Sequence, residues 1–150
     1  MEAEETERRY LLKSVPEHRL QQFELVASSL GYFDESVRVR VHRPQAGAPS
    51  CFFESKKPAF GLVRMKASVP LDEARALQLL SAANWALHRQ LYLFEDEGRL
   101  LTLESLNNTA EETWLMEVEG GDLQLPSGFV GADVTDELQY YSYSRARASA

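Results

Sequence analysis

Three short runs in this chain space charged side chains two residues apart: Glu5, Glu7 and Arg9 in "ETERRYLL", Arg38 and Arg40 in "VRVRV", and Glu117 and Glu119 in "WLMEVE". In a strand, residues i and i+2 share a face, so each run presents its charges on one side and its apolar or neutral residues on the other. Four carboxylates in two pairs suit a hard divalent cation such as Mg²⁺ or Mn²⁺, which takes oxygen ligands. Arginines on neighbouring strands suit phosphate oxygens, which match the guanidinium fork. Together they describe a site for a metal polyphosphate. No Gly-rich phosphate loop and no G-x-S-x-G elbow offers a rival chemistry. His18, His42 and His88 are scattered singly and read as surface or structural residues, with no zinc spacing. Cys51 is the one cysteine, so there is no intramolecular disulfide, and it reads as a packing residue.

The elements that must carry these side chains alternate between two periods. Residues 5–13 read as a strand. Residues 16–30 place Leu20, Phe23, Val26, Ala27 and Leu30 at helical spacing, between Pro16 in the first turn and Gly31 as a stop, which predicts an amphipathic helix. "SVRVRVHRP", "SCFFESK" and "GLVRMKASVPL" predict three strands, with turns at residues 44–49 and 58–61. Residues 72–90 repeat Ala74, Leu77, Leu80, Ala83 and Leu87 as a second helix behind an Asp72 cap. "QLYLF" and "RLLTLES" flank "EDEG" as a hairpin, the sequon Asn107-Asn108-Thr109 reads as a turn, and "TWLMEVE" supplies another strand. The Tyr140 to Tyr143 cluster reads either as a plug or rim of a tunnel or as an edge strand.

Two architectures fit this pattern. One is a flat α+β sandwich whose charged face is wet and whose apolar face lies under the helices. The other closes the sheet into a barrel with the charges inside, which is tolerable only around a water-filled, ligand-binding lumen. Composition bounds both: 150 residues, 44 % hydrophobic and 26 % charged, form one domain over residues 1–150. The net charge of -7 opposes nonspecific nucleic-acid binding, so any basic site is local and enclosed. The acidic start, the lack of a long apolar run and the single cysteine fit a cytoplasmic protein with no membrane segment.

The ordered set of motifs resembles the CYTH domains, or triphosphate tunnel metalloenzymes. "ETERRYLL" is similar to that family's opening Glu-x-Glu-x-Lys strand, with Arg9 where lysine is usual; "VRVRV" resembles its Arg-x-Arg strand, and "EGRLLTLESL" its hairpin ending in an acidic strand. "WLMEVE" resembles its late Glu-x-Glu strand, and "LPSGFVGADVTDELQYYSYSRA" its closing segment. The resemblance implies an α+β fold: an eight-stranded antiparallel β-barrel, the triphosphate tunnel, with helices packed outside. It implies a metal held by Glu5, Glu7, Glu117 and Glu119 with Glu104 as an acidic neighbour, and phosphate held by Arg9, Arg38, Arg40 and Arg89. On this reading Glu5, Glu7, Glu117, Glu119, Arg38 and Arg40 form the catalytic set. For Arg89 the alternative is a cation that merely favours a helix C-terminus.

Departures matter as much. "FFESKK" puts Glu54 near the family's lysine position, with Lys56 on the same face as a substitute. "LVRMKASV" puts Arg64 and Lys66 where acids are common, and both either add to the phosphate-binding set or lie outside if the register slips by one. Two functions therefore stay open: a Mg²⁺- or Mn²⁺-dependent triphosphatase acting on inorganic triphosphate or a small organic triphosphate, and a weak or inactive module that holds a polyphosphate or nucleotide. Adenylate cyclisation is a third. The expected partner is a small triphosphate or polyphosphate ligand, and a homodimer is left open.

Overall fold

The computed structural model describes residues 2–106 and 112–149, so the sequon turn at Asn107 lies outside the described residues. Its strands are β1 (Glu2–Leu12), β2 (Glu24–Tyr32), β3 (Val37–Pro44), β4 (Ser50–Lys57), β5 (Val63–Pro70), β6 (Trp85–Asp96), β7 (Arg99–Ser105), β8 (Trp114–Glu119) and the short β9 (Gly131–Asp133). Helices α1 (Glu17–Leu20), α2 (Glu73–Ala82) and α3 (Ser142–Ala148) lie outside the sheet. The strand order is β5-β4-β3-β2-β6-β7-β8-β1, every pair is antiparallel, and β1 returns to pair with β5. That last pairing closes an eight-stranded barrel, which leaves no free edge. β9 adds to β1 beyond its β5 contact, through Tyr10, Leu11 and Leu12.

The flat sandwich is therefore excluded, and the alternation in β3 shows why the sheet curls. Val39 and Val41 are fully buried against Cys51 and Ala76, with Leu79 and Leu80 of α2 packed on them, while Arg38 and Arg40 point the other way into the barrel. Burying each such aliphatic side chain stabilises by roughly 1.5–3 kcal/mol, enough to hold α2 on the outer wall. Cys51 is a packing residue here, as its sequence context suggests. Asp72 caps α2 by accepting from Arg75 N at 2.8 Å.

Both long helices expected from the sequence are corrected. In residues 16–30 only Glu17–Leu20 is helical, and Glu24–Tyr32 is strand β2. Its buried residues Val26, Ser28 and Leu30 alternate, because β3 and β6 supply ladder partners along both edges. Gly31 is no helix stop: a Cβ there would stand 2.8 Å from Ala83 Cβ, so its missing side chain admits the end of α2 against the strand. The second helix ends at Ala82, and residues 85–90 belong to β6, paired with β2 from Trp85 to Leu93. Arg89 is thus a strand residue and lies at no helix terminus. The "EDEG" hairpin is observed, with positive φ at both Glu97 and Gly98, as a tight two-residue turn requires.

Inside, β1 to β8 present a polar lumen at the centre and apolar packing towards one end. There α3 lies across the barrel, its Ala146 packed on Leu30, Tyr32 and Leu87. A separate core of Tyr10, Leu12, Leu103, Trp114 and Met116 sits outside the wall beneath the chain that leads to β9. No described helix is long and apolar enough to cross a membrane.

Candidate functional site

The registers decide which charges meet. Directly across β1 and β5, Glu5 faces Arg64, and across β3 and β4, Arg38 faces Glu54. Two other cross-strand pairs are like-charged: Glu7 opposite Glu119, and Lys56 opposite Lys66. Like charges directly opposite destabilise a sheet unless something between or beside them compensates. For the lysines the compensation is internal, since Lys56 Nζ reaches Glu5 at 2.9 Å and Lys66 Nζ reaches Glu54 at 3.4 Å. For the glutamates it is one-sided. Glu7 takes Arg9 at 2.6 Å and Arg64 at 3.2 Å, whereas Glu119 has no ion pair with a described residue.

Protonation follows from this asymmetry. Burial alone would raise Glu7, but Arg9, Lys56 and Arg64 outweigh it and hold the carboxyl at about 2. Burial is likewise overcome at Glu5 by Lys56, and at Glu54 by Arg38 and Arg40, so both carboxyls titrate below their usual range. Glu119 goes the other way: burial and then the charges of Glu5 and Glu7 push it up to about 7. Glu117 is also raised, by burial and then by Glu7, with Arg9 Nε at 3.8 Å only partly offsetting them.

Glu5, Glu7 and Glu119 can each offer an oxygen such that all lie within 4.8 Å of one another. This trio fits a hard divalent cation on the chemistry of its donors, and one buried oxygen, Glu5 Oε2, makes no hydrogen bond to a described group. Glu117 lines the same cavity beside Glu119. Glu104 stands apart from the trio: Arg145 of α3 donates to both its oxygens, at 2.7 and 2.6 Å, and Arg89 approaches at 3.5 Å. The structure thus uses Glu104 to tether α3 across one end of the barrel.

The cationic wall is built on β3, β4 and β5. Arg38 and Arg40 both donate to Glu54, at 3.0 and 3.1 Å, and Lys66 and Ser68 complete that carboxylate's shell. Arg64 and Lys66 therefore face inward, and the alternative register that would put them outside is excluded. Arg64 is itself buried between Glu5, Glu7 and the Ala59 carbonyl. Arg9, Arg38, Arg40, Lys56, Lys66 and Arg89 line one cavity of about 190 Å³ with Glu7, Glu117 and Glu119.

Three participants were missed or misjudged in the sequence. His42 is no surface residue: it lines the cavity, where burial and then Arg40 and Arg89 depress it to about 3, so it is neutral. Arg145 carried no periodic signal. Tyr141, between the plug and edge-strand readings, starts α3: its ring lies 3.7 Å beneath the Arg9 guanidinium, its hydroxyl donates to the Thr135 carbonyl at 2.9 Å, and Gly61 N donates to that hydroxyl at 3.1 Å. With α3 in place, the described residues form a recess of about 20 Å³ at this end, beside Tyr141 and Tyr143. The other end opens past Leu100, Glu119 and Gly120 into a mouth of about 300 Å³.

The chain is thus a closed antiparallel barrel with an ionic lumen. Neither a family model nor a curated protein matches its sequence. Among solved structures it is similar to a Bacillus halodurans protein described as "a putative adenylate cyclase", with 16 % identity, a TM-score of 0.47, and coverage of 95 % of this chain and 91 % of that one.

Proposed function

We propose that this chain is a divalent-metal-dependent triphosphatase of the triphosphate-tunnel kind, acting on a triphosphate held in the barrel lumen. The carrying observation is that a carboxylate trio, Glu5, Glu7 and Glu119, and a wall of cations share one enclosed cavity. An ordinary wet sheet face has no reason to enclose both.

In this reading Glu5, Glu7 and Glu119 hold the cation, Mg²⁺ or Mn²⁺, with Glu117 beside them. When bound, such a cation polarises phosphoryl oxygens and acidifies an attacking water. Arg38, Arg40, Arg89 and Lys66 hold the phosphoryl oxygens from the opposite wall and spread charge that develops on them. Arg9, buried and stacked on Tyr141, keeps Glu7 ionised and oriented. Glu54 holds Arg38 and Arg40 on one shared carboxylate oxygen, so that neither side chain must be ordered when a ligand arrives.

One observation favours the second reading, a polyphosphate-binding module with little turnover. Arg64 and Lys66 already pair with Glu5, so the β1 carboxylates are partly neutralised before any metal binds. Phosphate release from inorganic triphosphate, thiamine triphosphate, ATP and GTP, each with Mg²⁺, Mn²⁺ or chelator, separates the two. Metal-dependent release from any one supports the enzyme; tight binding without release supports the module; neither binding nor release ends both.

A further inference from the structure

One wall of the lumen does not suit phosphate at all. Leu91, Leu93 and Leu100, on β6 and β7, line the same cavity as the cations and acids, and Leu100 continues into the open mouth. A lumen dedicated to a bare polyanion and its metal gains nothing from three leucines, since each displaces a donor or a water that such an ion would use. Beside them stand two neutral polar groups. Arg40 Nη1, always a donor, lies 3.1 Å from His42 Nδ1, which must therefore accept, so the imidazole proton is on Nε2. Among the described residues neither that N–H nor the Thr102 hydroxyl has a hydrogen-bond partner, and both residues line the cavity.

Resting on the tunnel reading above, we infer that the ligand is an organic triphosphate ester carrying a neutral heterocycle, with its phosphates on the cationic wall and its organic part on Leu91, Leu93 and Leu100. The direction of entry agrees. α3 narrows the far end to a space fit for a single water, while the leucine strip runs outward to the mouth at Leu100. A linear triphosphate can lie among the arginines while its substituent trails along that strip. His42 and Thr102 then meet the heteroatoms of the ring. A cationic heterocycle is disfavoured on this wall, because Arg40 and Arg89 flank His42.

The test is calorimetry in chelator, where no metal-dependent turnover consumes the probes, using the β,γ-imido form of ATP beside inorganic triphosphate and thiamine triphosphate. The imido nucleotide should bind at least tenfold more tightly than inorganic triphosphate, a difference of about 1.4 kcal/mol. Leu93→Gln with Leu100→Gln should remove most of that preference while leaving inorganic triphosphate within about twofold. Thr102→Val, nearly isosteric, should weaken only the nucleotide, by about threefold. Equal affinity for nucleotide and inorganic triphosphate in the unaltered protein overturns the inference while the tunnel reading stands, and this comparison needs no variant to fold. A preference for thiamine triphosphate overturns the neutral heterocycle. Binding of none of the three overturns both readings together.

Discussion

The two Glu-x-Glu pairs lie on adjacent strands, with Glu7 directly opposite Glu119, yet they are chemically unlike. Glu5 and Glu7 on β1 are surrounded by Arg9, Lys56, Arg64 and Lys66 and stay ionised. Glu117 and Glu119 on β8, opposite Arg9 and Glu7, are raised by burial and by the neighbouring carboxylates. An identical motif therefore has two roles, set by the strand beyond it. β1 borders the cationic β5, whereas β8 borders β7, which offers the cavity Leu100 and Thr102. The β1 pair belongs to the framework as well as the site; the β8 pair is the portion that a cation would complete.

The strongest way to break this contrast is to neutralise the β8 pair. Glu117→Gln with Glu119→Gln should cut phosphate release at limiting Mg²⁺ by about a thousandfold, roughly 4 kcal/mol. The midpoint of urea unfolding should hardly move, because burial and the neighbouring carboxylates already disfavour the charge at both positions, so amides there cost little. Retained turnover would show that these residues do not hold the metal. Neutralising the other pair should do the reverse. Glu7→Gln leaves the buried Arg9 and Arg64 short of a counter-charge, and urea unfolding should show a loss of about 3 kcal/mol. A stability unchanged within experimental error would remove the distinction between the pairs.

A third comparison concerns the cationic wall. Lys66 is its more exposed member, at 25 % of its side-chain surface, so Lys66→Gln is tolerable where a change at Arg64 would strand Glu5 and Glu7. Calorimetry without metal should show triphosphate affinity reduced about tenfold; undiminished affinity would take Lys66 out of the phosphate-binding set. The smallest effect is in pH. Glu119 must lose its proton to bind a cation, so Mn²⁺ affinity should rise by up to about tenfold per pH unit below 7 and level off above it. Because its folded pKa of about 7 exceeds the ordinary 4.5, metal-free stability from this group is full below pH 4.5 and lost as pH rises through 7. Glu7, held at about 2, contributes in the opposite sense: its share is present above pH 4.5 and lost as pH falls towards 2. Metal-free thermal melts from pH 2 to 8, with Mn²⁺ titrations from pH 5 to 8, check both signs.

The lumen was legible because alternation survives wherever the strand is amphipathic: Glu5, Glu7 and Arg9, Arg38 and Arg40, and Glu117 and Glu119 all face inward. β2 and the start of β6 were not. Leu20, Phe23, Val26, Ala27 and Leu30 satisfy a helical repeat by coincidence, and only the closing sheet, which offers ladder partners on both edges, decides for a strand. The same misreading hid the leucine wall. Assigning residues up to Gln90 to a helix broke the Arg89, Leu91, Leu93 alternation at its start. Tyr141 and Arg145 act through a single α3 turn laid over Arg9 and Glu104, a relation with no local periodicity to reveal it.

The closure of β1 onto both β5 and β8 also sets an order of events during synthesis. β1 precedes every other strand in the sequence, yet Glu7 finds Glu119 only after more than a hundred further residues have been made. Until then β1 has β5 alone, and Arg9 has neither Glu117 across the ladder nor Tyr141 beneath it. Such long-range pairing makes closure late and slow relative to helical domains of similar size. Every donor of the carboxylate trio depends on that final step, so Mn²⁺ binding during refolding should report completion of the barrel itself, lagging behind the hairpin signals of β3, β4 and β5.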